Sequence, residues 1–310
     1  MMRLPAERPV FAALVVGLVG LALSVVGAFL DIHAALAGWL TAALVAAGLP
    51  LGALTILMVH GLTGGRWGDA MRPPLRAMVA TLPLALLMLL PVLARLGEMF
   101  PWADDPTALP ESVRLKLAYL NAPFFVVRFV LCSAVWLVLA WLVLGATAPS
   151  RQPPIRLCAL GLVLHGVALS VFSTDWMLSL EPDFTSTVYA MIEASAQVVG
   201  AGATALVVLA ARRQIEILPG GEHGVALGED VANMLFGFVL MWAYLAFMQW
   251  LVVWAGDLPS EIHWYIERTR HGWQYLLFAA IALAFAVPFA GFLSRRLKRS
   301  RAGLLWLGVV

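Results

Sequence analysis

Residues 123–147 read PFFVVRFVLCSAVWLVLAWLVLGAT, a run of 25 residues with a single charge, Arg128. A helix rises 1.5 Å per residue, so this run is long enough to cross the roughly 30 Å hydrocarbon core of a bilayer. A helix that is apolar all round belongs either in a large protein core or in a membrane. Composition decides between the two. Of the 310 residues, 62% are hydrophobic and 12% are charged, about half the charge of an average soluble domain. One soluble core of this size cannot hide so much apolar surface, so lipid has to be part of the solvent.

Working outward from that run, seven more segments have the required length: 10–30, 35–62, 75–97, 155–178, 186–211, 231–255 and 271–294. The chain therefore predicts an all-α polytopic membrane protein with eight transmembrane helices, organised as a single integral-membrane domain over 1–310. The first segment has 21 residues and no A-x-A end, so it is read as a retained helix rather than a signal peptide. A ninth apolar run, 302–310, is too short to span. The longest aqueous stretches, 98–122 and 212–230, are too short for a soluble domain.

Charge is divided between alternate loops. Fourteen of the 20 basic residues fall on one side: Arg3 and Arg8; Arg66, Arg72 and Arg76; Arg151 and Arg156; Arg212 and Arg213; and the cluster from Arg295 to Arg301. The other side carries Asp104, Asp105, Glu181, Asp183 and Glu261 with Trp102, Trp254 and Trp264 near its boundaries, where interfacial anchoring accounts for tryptophan. The positive-inside rule puts the N-terminus and the arginine-rich loops in the cytoplasm. A net charge of +2 with no basic stripe gives no reason to expect a nucleic-acid partner.

Ionisable groups inside membrane helices are costly and mark candidate sites. Arg128 lies near the outer end of the fourth span. Asp175 is in the last turn of the fifth, where headgroup water is expected to reach it, and Glu193 is two turns into the sixth. Tyr189, Glu193 and Gln197 follow i, i+4, i+8 and share a face, which Gly200 continues. On the seventh span, Asn233, Gly237 and Tyr244 share another. His165 sits about 15 Å into the fifth span, as a packing residue or a proton relay. Arg128 with either carboxylate makes a structural ion pair, or the group serves a quinone head or proton transfer; both readings stand open.

His60 and His165, at different depths, do not make a bis-histidine heme site. His33, His223, His263 and His271 lie in or beside loops, without metal-ligand spacing. Cys132 and Cys158 fall in apolar runs outside any CxxC, so they read as packing residues, and no heme, iron–sulfur cluster or metal is expected on this chain. Gly48, Pro50 and Gly52 are expected to break the second helix, by a kink or a close helix contact.

Three strings carry a further signal: Leu62-Thr63-Gly64-Gly65-Arg66-Trp67-Gly68; Ser173 to Pro182 (STDWMLSLEP) followed by Ser186-Thr187-Val188-Tyr189; and Ala246-Phe247-Met248-Gln249-Trp250, continuing through Trp254 to Asp257-Leu258-Pro259-Ser260-Glu261 and Trp264-Tyr265. In order and placement they resemble the F subunit of alternative complex III, a bacterial quinol:cytochrome c oxidoreductase, which is similar to the NrfD/PsrC family of heme-free quinone-interacting membrane proteins. Asp183-Phe184-Thr185-Ser186-Thr187 stands where that family usually has His-Trp-Phe-Ser-Thr.

The resemblance implies a ten-helix fold in a bacterial inner membrane. Multiheme cytochrome, iron–sulfur and sister membrane subunits would be its partners, and quinol or quinone its cofactor. It implies a subunit that is not catalytic alone and contributes to quinone interaction or proton translocation. Glu193 and Asp175 would accept protons, Arg128 would orient an oxygen, and Tyr189 would hydrogen-bond. The other readings are a structural or proton-conducting subunit that binds no quinone, and an independent secondary transporter.

Overall fold

The computed structural model describes residues 7–104, 109–147, 153–215 and 227–310, and among these it holds helices and no strand. Arg3, Asp105, Arg151 and His223 lie outside the described residues. α1 (Glu7–Leu30) runs to Asp31, whose carboxylate accepts from Ala34 N at 3.0 Å and so caps α2 (Ile32–Thr63). Gly64 and Gly65 then take φ of 67° and 105°, a turn that side chains disfavour, and release the chain into α3 (Arg66–Val79). Pro83 and Pro91 open the short helices α4 (Leu82–Leu87) and α5 (Leu90–Leu93), so the third crossing advances in jogs. Single turns α6 (Leu96–Met99), α7 (Pro101–Asp104) and α8 (Glu111–Arg114) cover one end of the molecule.

Asn121 caps α9 (Ala122–Ala146) by accepting from Phe124 N at 3.0 Å. α10 (Ile155–Trp176), α11 (Tyr189–Ala211) and α12 (Leu227–Gly256) follow, then the shorter α13 (Pro259–Arg268). α14 (Trp273–Ile281) and α15 (Val287–Leu293) join through a π-turn at Ala282–Ala286, and α16 (Arg295–Lys298) leads to α17 (Arg301–Val309). Among the described residues, eight helical stretches are long and apolar enough to cross a membrane. The chain is an all-α polytopic membrane protein.

Two boundaries differ from the sequence expectation. The third crossing occupies Arg66–Leu93 rather than 75–97, because Pro73 and Pro74 are accommodated within α3 and the prolines further on break the far end. α11 starts at Tyr189 rather than 186, because the Ser186 hydroxyl accepts from Val188 N and Tyr189 N (3.3 and 3.0 Å) and holds its own turn outside the helix. Glu193 consequently lies one turn inside the helix, about 6 Å from its first residue, not two.

α2 is the hub. Of its most apolar window 61% is buried, against none of α1, which lies outermost. α2 packs on α3, α10 and α11, and its closest approach is to α11: a Cβ on Gly52 would lie 2.0 Å from the carbonyl oxygen of Gln197. α2 runs on through Pro50 without a break, and of the two outcomes expected from sequence the close helix contact is the one present: Gly48 and Gly52 are where α11 seats. Both cysteines are buried and free, and Cys158 packs beside Gly61 of α2.

The two ends differ in chemistry. At one, Arg76 donates to Leu144 O and to the Thr147 hydroxyl at the C-terminus of α9, and Arg301 donates to Ala210 O and Ala211 O (2.7 and 2.8 Å) at that of α11. Cations there satisfy orphan carbonyls and complement the helix dipoles. Arg299 pairs with Glu229 and Lys298 with Asn233 at the same end. α17, the run too short to span, therefore packs along α11, with Gly308 against Ala203 and Val207. At the tryptophan-bearing end, Trp102 donates to Ser179 O at 3.1 Å and Lys116 to Pro182 O at 2.6 Å. Trp102 is 1% exposed, so it is a core residue and not the interfacial anchor its position suggests. Trp254, 62% exposed, fits the anchoring role.

Candidate functional site

Arg128 and Asp175 meet across α9 and α10. Arg128 Nε and Nη2 donate to the two carboxylate oxygens at 2.7 and 2.9 Å, while Nη1 donates to Tyr119 O at 2.9 Å. The guanidinium also lies over the rings of Tyr119 and Phe124, 3.8 and 4.3 Å from their centroids. Burial first, and the Asp175 carboxylate after it, push the Tyr119 phenol up to about 12. Its hydroxyl therefore keeps its proton and can donate to Asp175. Asp175 is 2% exposed, which corrects the expectation of a carboxylate wetted at the helix end. Beneath the pair, Trp176 packs among Phe100, Phe125, Phe129 and Phe172. Each nitrogen of the arginine head has a partner, so the pair reads as a closed structural tie between α9 and α10.

Glu193 is not part of it. Its hydrogen bond is from Gln197 Nε2 at 3.0 Å, one turn further along the same face. Among the described residues, Glu193 is the one carboxylate at least a turn inside a span that has no basic group at ion-pairing distance. Gln197 is 6% exposed and wedged against Gly48 and Gly52 of α2, and its Oε1 accepts no hydrogen bond. Continuing along α11, Ala196, Gly200, Ala203 and Thr204 line a cavity of about 430 Å³, bordered by residues of α2, α12, α15 and α17 such as Leu49 and Trp242. In the other direction, Tyr189 lies within electrostatic reach of Glu193 and of Arg268 on α13.

His165 joins three helices. Trp136 Nε1 donates to its Nδ1 at 3.1 Å, so the ring proton is on Nε2, which donates to the Thr55 hydroxyl at 3.0 Å; Thr55 in turn donates to Leu51 O. Every member is satisfied within the protein. Tyr244 is 61% exposed, and Asn233 and Gly237 on the same helix are exposed with it.

The three sequence strings have structural reasons. His60 donates from Nε2 to Gly65 O at 3.0 Å and lies edge-on to Trp67, while a Cβ on Gly68 would stand 2.0 Å from its ring. The first string is thus wrapped around a buried histidine. The second and third touch one another: Ser186 donates to Gln249 Oε1 at 2.6 Å, Thr185 to Glu261 Oε1 at 3.0 Å, and Phe184 stacks on Trp264 with centroids 5.3 Å apart. Tyr119, Trp136 and Thr55 were not singled out from sequence. Trp136 had a signal, eight residues after Arg128 on the same face. Tyr119 and Thr55 had none.

Among the described residues, no group of three His, Cys, Asp or Glu side chains is placed to hold a metal ion. No protein-family model matches the chain, and comparison with curated proteins gives no match.

Proposed function

We propose that this chain is a heme-free membrane subunit of a respiratory quinol:electron-acceptor oxidoreductase in a bacterial inner membrane, with its N-terminus cytoplasmic, and that its part lies on the Glu193 face. The single observation that carries this reading is Glu193 itself, an acid inside a membrane-spanning helix, held by a neutral carboxamide and no cation, on a helix whose next residues Ala196 and Gly200 line an apolar cavity. A carboxyl so placed takes up and gives back a proton at lower cost than one locked to arginine. A quinol releases two protons with its two electrons. A head group at Glu193 would find a proton acceptor there and a hydrogen-bond acceptor at Gln197 Oε1, while the prenyl tail has the chemistry of the cavity beyond. Redox centres would come from partner chains, namely multiheme cytochrome, iron–sulfur and sister membrane subunits.

One observation favours a second reading, that of a scaffold or proton conductor that binds no quinone. Arg128 and Asp175, the bidentate pair between two spans, are buried at 6% and 2% exposure and closed off from a ligand. Extraction of native membranes in mild detergent followed by capture of this chain tests the assignment. Co-purifying hemoproteins, with a quinone crosslink on α11, are expected. Hemoproteins without the crosslink point to the scaffold, and a chain that emerges alone overturns both.

A further inference from the structure

We infer that Glu193 is reached by water from the tryptophan-bearing end alone, through an entry roofed by α13, whose docking on the 184–189 segment controls how fast it is reached. This rests on the proposed role of Glu193 but concerns access, not turnover. α11 presents Tyr189 and then Glu193 within its first two turns from that end. α13 lies over this start. Its Trp264 stacks on Phe184 at 23° between ring planes, and its Glu261 accepts from Thr185. Arg268 stands 3.7 Å over the Trp264 ring and donates to the Trp264 carbonyl. Arg268 is also in electrostatic reach of Glu181, Tyr189 and Tyr265, so polar groups from the 181 turn, α11 and α13 converge on the entry.

Toward the arginine-rich end the polar series stops. Gln197 is wedged in the α2 notch, and the cavity after it is apolar apart from Trp242 and Thr204, whose hydroxyl is spent on Gly200 O. The helix faces beyond, at Ala201, Ala205, Leu206 and Leu209, are buried and apolar. Positive-φ residues flank α13 a little way off, Asp257 at 47° two residues before its start and His271 and Gly272 at 55° and 92° three and four residues beyond its end. The helix is thus a short unit between two tight turns, held down mainly by side-chain contacts, which suits a roof that lifts.

Thiol labelling of the full chain in sealed membrane vesicles of both orientations tests the inference. Glu193→Cys reports the site, Asp104→Cys marks the tryptophan-bearing face and Arg296→Cys the other; the wild type, with two buried cysteines, gives the background. A membrane-impermeant reagent is expected to reach position 193 only from the side that labels position 104. Adding Trp264→Ala, which removes the stack and the arginine's platform, is expected to speed that reaction by roughly three- to tenfold while the rate at 104 stays unchanged. Tyr189→Cys, one turn nearer the entry, replaces Glu193→Cys if the latter does not accumulate. Labelling from the Arg296 side, no labelling from either side, or a rate indifferent to Trp264 would each overturn the inference. Because no turnover is read, the result stands apart from any effect of Glu193→Gln on activity.

Discussion

At the scale of residues, two acids that look alike in sequence have opposite surroundings. Asp175 is gripped by both donors of an arginine fork and Glu193 by a carboxamide alone. Glu193→Gln keeps shape and one hydrogen bond but loses the titratable proton. Assembly is expected to be normal, and quinol oxidation or proton release to fall by about tenfold or more. Asp175→Asn is expected to show the reverse, with less assembled complex and near-normal turnover per complex. Wild-type activity in assembled Glu193→Gln would hand the site back to the scaffold reading. Arg128→Ala leaves a buried carboxylate without its cation and is expected to cost about 3–5 kcal/mol, seen as a lower melting temperature in detergent. The double change Arg128→Met with Asp175→Leu is expected to recover most of that loss, since an apolar pair of similar volume removes both desolvation penalties. Sequence showed that a charge in the fourth span needed a partner, but not which carboxylate. That choice depends on the rotation of α9 against α10 and on Tyr119, a loop residue whose carbonyl completes the grip.

At the scale of elements, hydropathy located each crossing and missed what local hydrogen bonds and close contacts do to its ends and middle. Ser186 shows the first case: one hydroxyl takes two backbone N–H groups and moves the start of α11 by three residues, and with it the depth of Glu193. Ser186→Ala is expected to destabilise the fold by about 1 kcal/mol and to loosen α11 at its first turn, read as faster amide exchange at 188–190. Pro50 shows the second. Proline and flanking glycines left a kink and a close helix contact both open from sequence, and the contact is what is found, with the helix continuous through Pro50. Gly52→Leu is therefore expected to cost about 3 kcal/mol or to abolish accumulation, because the nearest atoms are backbone of α11 and cannot turn aside. Gly38→Leu, on the same helix with nothing within 4 Å, is the control and is expected to be neutral. Equal effects at both positions would mean that the α2–α11 contact is not the determinant.

At the scale of the whole molecule, the legible part was the separation of charge. Three of the arginines assigned to alternate loops by counting, Arg76, Arg299 and Arg301, lie at the ends of α9 and α11 and the start of α12, where they cap carbonyls or pair with Glu229. Those contacts fix that their loops share a side, and the positive-inside rule adds which side that is. A cation held at a helix C-terminus or paired with a carboxylate is partly neutralised, however, so Arg76, Arg301 and Arg299 count for less in orienting the chain than exposed Arg66, Arg156, Arg212, Arg213, Arg295 and Arg296. If the rule acts through these exposed six, Arg296→Cys is expected to be shielded from an impermeant thiol reagent in intact cells and labelled once the membrane is opened, while Asp104→Cys is labelled throughout. Replacing all six by glutamine is expected to weaken that bias and yield a mixed population, whereas replacing Arg76 and Arg301 is expected to lower stability without changing sidedness. Reversed labelling of the two cysteines in the otherwise unaltered chain would sink the orientation. An unchanged pattern after loss of the exposed six would show that the capping and paired arginines set it instead.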